Sequence, residues 1–73
     1  MYQLEQIKQM ARTCQIYSPA TAEPVRGVII PLGDGQLICL HSPTASADGF
    51  DWYVGQKPVQ ESAVRTMLKQ QNS

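Results

Sequence analysis

The chain has 73 residues, six basic and six acidic side chains and a formal net charge of zero, which gives one domain over residues 1–73 and no charge footprint for nucleic acid or an acidic membrane. Two cysteines and one histidine are too few for a closed four-ligand zinc site, so no cofactor is expected. A single core of this size supplies about 3–5 kcal/mol unless a disulfide, metal or oligomer staples it, and oligomerisation is the staple left.

The chain opens Met-Tyr-Gln-Leu-Glu-Gln-Ile-Lys, without the basic and apolar regions of a signal peptide. Its longest apolar run, residues 28–32, is too short to span a bilayer. These features predict a cytoplasmic protein with reduced cysteines and no membrane partner.

Residues 3–14 read as a helix. Leu4, Ile7, Ala11 and Cys14 recur at helical spacing with Met10 beside them, a stripe that needs a core to pack on. Glu5 and Lys8 lie one turn apart on the polar face. Ile16 and Tyr17 are expected to pack just beyond the helix. Residues 18–25 form a connector, because Pro19 and Pro24 push the residue before each away from helix.

Residues 26–42 form a hairpin that is apolar on both faces. Asp34-Gly35 suits a two-residue type I′ turn, and Gly33 also allows a three-residue loop with a bulge. In the two-residue register, Leu32 opposes Leu37, Ile30 opposes Cys39 and Val28 opposes His41, and opposed residues share a face. The reverse face then carries Ile29, Pro31, Ile38 and Leu40. A slip of one residue changes which side chains share a face. Pro31 has no N–H for a ladder, so its strand is expected at a sheet edge.

Residues 43–49 are a polar loop. Residues 50–54 alternate, with Phe50, Trp52 and Val54 toward the core and Tyr53 on the reverse face. A last helix spans about residues 58–70, with Pro58 at its first position. Val59, Ala63, Val64, Met67 and Leu68 make its stripe, and Glu61 and Arg65 pair along its surface.

The expected fold class is α+β: helix, three-stranded antiparallel meander, helix (α-β-β-β-α), with both helices on one sheet face. The expected core is Leu4, Ile7, Ala11, Ile30, Leu32, Leu37, Cys39, Phe50, Trp52, Val54, Val64, Met67 and Leu68. Ile29, Ile38, Leu40 and Tyr53 are left on the opposite face, an apolar patch of a few hundred Å² that marks a protein interface. A helix on each face would remove that patch. The functional reading is a small non-enzymatic protein-interaction module, a homodimer or the binder of another protein. Its size suits an accessory or inhibitor protein of the kind phages and plasmids carry.

Two other readings compete. The helix–three strands–helix order is similar to that of the double-stranded-RNA-binding domain, which implies a nucleic-acid-binding module. That family reads RNA through a lysine-rich start to its last helix, whereas Lys57-Pro58-Val59-Gln60-Glu61 offers one lysine and an acid. Cys39 and His41 together suggest a cysteine nucleophile. Side chains two apart on a strand stand about 7 Å apart, and a mid-strand thiol lacks the helix N-terminus that lowers its pKa. A buried Cys39 beside a strand-end His41 is therefore preferred, with Cys14 as a second packed thiol. Gly33-Asp34-Gly35 is explained by turn chemistry, since a phosphate loop leads into a helix. Glu23, Asp48 and Asp51 are expected as solvated loop charges.

Overall fold

The computed structural model describes residues 2–18, 21–44, 46 and 49–71. Helix α1 (Leu4–Thr13) leads through Cys14 into strand β1 (Gln15–Tyr17). Strands β2 (Pro24–Pro31), β3 (Leu37–His41), β4 (Asp51–Val54) and β5 (Lys57–Val59) follow, and helix α2 (Glu61–Gln71) ends the chain. The strands form one antiparallel sheet in the order β1-β2-β3-β4-β5. The α+β class therefore holds, but the meander has five strands instead of three. The topological likeness to the double-stranded-RNA-binding domain goes with that correction.

The two additional strands are short for a reason. Cys14 is already extended, and its N–H donates to the Met10 carbonyl at 2.9 Å, which closes α1 and sends the chain straight into β1. Three residues are too few to show alternation. At the other end Gly55 has φ +63° and leads a two-residue turn that pairs Val54 with Lys57, the glycine-first pattern of a type II′ hairpin. Pro58 thus lies in β5, and α2 starts at Glu61 rather than at Pro58.

The β2–β3 hairpin takes the longer loop. Leu32 N–H donates to the Gln36 carbonyl at 2.8 Å, Gly35 N–H donates to the Leu32 carbonyl at 3.2 Å, and Gly35 has φ +85°. This is a three-residue loop with a glycine bulge. Its register pairs Val28 with Leu40, Ile29 with Cys39, Ile30 with Ile38 and Pro31 with Leu37. The hairpin is offset by one residue from the two-residue reading, so Ile38 and Leu40 join Val28 and Ile30 on one face.

Both helices pack on that face. Ile7 and Ala11 of α1 and Val64 and Leu68 of α2 form one cluster with Val28, Ile30, Ile38, Leu40 and Trp52. Burying each large aliphatic side chain contributes about 1.5–3 kcal/mol. Leu4, Leu32, Phe50, Val59, Met10 and Met67 pack against its rim. Leu37 and Cys39, expected in this core, lie on the opposite face, and Cys14 is exposed rather than a packed thiol. Strand β1 pairs only with residues 24–26 of β2, so at Pro31 no strand lies on the outer side and its missing N–H costs no ladder bond.

One polar clamp ties three elements. Glu61 Oε1 accepts from Trp52 Nε1 at 3.3 Å and faces Lys8 Nζ at 3.0 Å, while Arg65 approaches Oε2 at 3.7 Å. These contacts hold the Glu61 carboxyl below the usual glutamate range, the Lys8 hydrogen bond first and the Trp52 bond second. No helix among the described residues is long and apolar enough to cross a membrane.

Candidate interaction face

The sheet face turned away from the helices divides into a closed end and an open end. The ladder register places Gly27, His41 and Asp51 in one row across β2, β3 and β4. The next row is Ile29, Cys39, Tyr53 and Pro58. Pro31 and Leu37 make the last pair at the hairpin end.

The closed end is built around His41, which is buried. Its ring stacks on Tyr53, with centroids 4.6 Å apart and planes 7° from parallel. His41 Nδ1 lies 2.9 Å from the Ser42 carbonyl oxygen, which can only accept, so Nδ1 is the donor. The stack is a diagonal cross-strand contact, since Tyr53 opposes Cys39 and His41 lies two residues along β3. Val25, Ser18 and Ser42 are buried as well. Val25 has the same strand parity as Gly27 and Ile29. Ser18 organises the β1–β2 turn: its carbonyl accepts from Ala22 N–H at 2.8 Å and its Oγ from Thr21 N–H at 3.4 Å.

The open end is apolar and uncovered. Ile29 is 38% exposed and Leu37 43% exposed, values that set them apart from the aliphatic side chains of the core. Tyr53 is half-buried, and Pro31 and Pro58 are exposed. No residue of the Ile29–Cys39–Tyr53–Pro58 row or the Pro31–Leu37 pair carries a charged side chain at neutral pH. Asp51 is the one charged group in the rows given, and it is exposed beside His41.

Of the four side chains expected at an interface, Ile29 and Tyr53 lie on this face. Ile38 and Leu40 do not, being 0% and 2% exposed in the core. Leu37, expected in the core, takes their place. Local turn chemistry permits both registers, because Gly35, at φ +85°, serves either loop; the three-residue loop inverts the parity of β3 relative to β2.

Cys39 and His41 share the face without forming a nucleophile pair. The thiol is buried between Ile29 and Tyr53, and burial pushes its pKa up, the opposite of what a thiolate nucleophile needs. His41 directs Nδ1 to the Ser42 carbonyl and its ring to Tyr53. Cys14 and Cys39 are both free thiols. Asp48 lies outside the described residues. Glu23 and Asp51 are exposed, and among the described residues no three His, Cys, Asp or Glu side chains gather as a metal site.

Compared with known proteins, the chain matches no family model, no curated protein and no solved structure.

Proposed function

We propose that this chain is a non-enzymatic protein-interaction module that pairs with a second copy of itself through the open end of the helix-free sheet face. The observation that carries the reading is the exposure of Ile29 and Leu37 on adjacent strands, next to half-buried Tyr53. Two β-branched or branched aliphatic side chains facing water on a fully formed sheet lose about 25 cal/mol for each Å² left uncovered. A two-fold contact sets the same patch of both copies against each other, so a patch without charged side chains brings no like charges together. The zero net charge of the chain adds no long-range repulsion between copies.

The size of the strip sets the strength. Stable interfaces bury about 800 Å² on each partner, and three partly exposed side chains with two prolines fall well short. The dimer is therefore weak, concentration-dependent and in fast exchange. An accessory or inhibitor role belongs to this same reading, with the face meeting a different protein in place of a second copy.

A dilution series followed by methyl NMR tests the proposal. The Ile29 and Leu37 methyl signals should move with concentration, while those of Ile7, Ile38 and Leu68 in the core stay fixed. Movement confined to α1 or α2 would place the contact elsewhere, and no movement at any concentration would overturn self-association.

A further inference from the structure

We draw no further inference here: the strongest candidate, the groove between the two glycine turns and α2 lined by Leu37, Val54, Lys57, Val59 and Met67, is an unpartnered surface with nothing in the structure to show what covers it.

Discussion

Gly27 is the residue on which the closed end of the sheet depends. It opposes His41 in a pair flanked by the Ser42 N–H bond to the Arg26 carbonyl at 2.9 Å, which makes it a non-hydrogen-bonded pair with closely spaced Cα atoms. A Cβ on Gly27 would collide with the His41 Cβ and lie 2.6 Å from the Leu40 carbonyl oxygen. Both obstacles are backbone or next to it, so neither swings away. Gly27→Ala should cost about 1–3 kcal/mol, read as a lower urea midpoint, and should disturb the His41–Tyr53 stack. Ala22 presents the reverse case, a non-glycine residue at φ +60°. That conformation costs about 1–2 kcal/mol for an L-residue, and glycine returns part of the gain through its freer unfolded chain. Ala22→Gly should raise stability by about 0.5–1 kcal/mol in the same titration. The thiols give a third residue-scale outcome. Exposed Cys14 should react with a disulfide reagent in the folded protein, and buried Cys39 only as the protein unfolds. Two equivalents of rapid reaction would contradict the burial of Cys39.

At the scale of elements, Glu61 joins α2 to α1 and β4, and its lowered pKa makes that junction sensitive to acid. A carboxylate whose folded pKa lies below its unfolded value stabilises the fold above the ordinary glutamate pKa of about 4.3 and loses that contribution as pH falls through the folded value. Glu61→Gln keeps an acceptor for Trp52 and removes the charge that Lys8 meets. Wild type should be the more stable at neutral pH, with the two converging in urea titrations below the glutamate range. Elements also show what a single sequence reveals. The two helices were legible because Leu4, Ile7 and Ala11, and Val64, Met67 and Leu68, repeat over several turns. The alternation of residues 50–54 placed Trp52 and Tyr53 on the correct faces, since a short strand needs no partner to fix its own parity. Strands β1 and β5 were not legible, because three residues carry no period and their pairing is decided by neighbours. The β2–β3 register was open in the sequence, because Gly33-Asp34-Gly35 satisfies the local rules of both loops. Packing of Ile38 and Leu40 against both helices decides between them, a tertiary term absent from the turn itself.

At the scale of the whole molecule, the loop choice settles which apolar side chains remain outside. With Ile38 and Leu40 in the core, both helices cover a face bearing Val28, Ile30, Ile38, Leu40 and Trp52, and the residual strip shrinks to Ile29, Leu37 and Tyr53 with two prolines beside it. Two of the four side chains expected on that face, Ile38 and Leu40, lie in the core, and one that was expected in the core, Leu37, joins Ile29 and Tyr53. Short strands and proline limit the alternative of edge-to-edge growth: β5 is three residues long and contains Pro58, and β1 is three residues long. The most direct measurement is the molar mass in solution by light scattering across a concentration series, for wild type, Ile29→Glu and Leu40→Glu. Wild type should rise from the mass of one chain toward that of two, Ile29→Glu should stay folded at the mass of one chain, and Leu40→Glu should unfold because its charge enters the core. A wild type that keeps the mass of one chain at every concentration, or an Ile29→Glu variant that still pairs, would contradict the account.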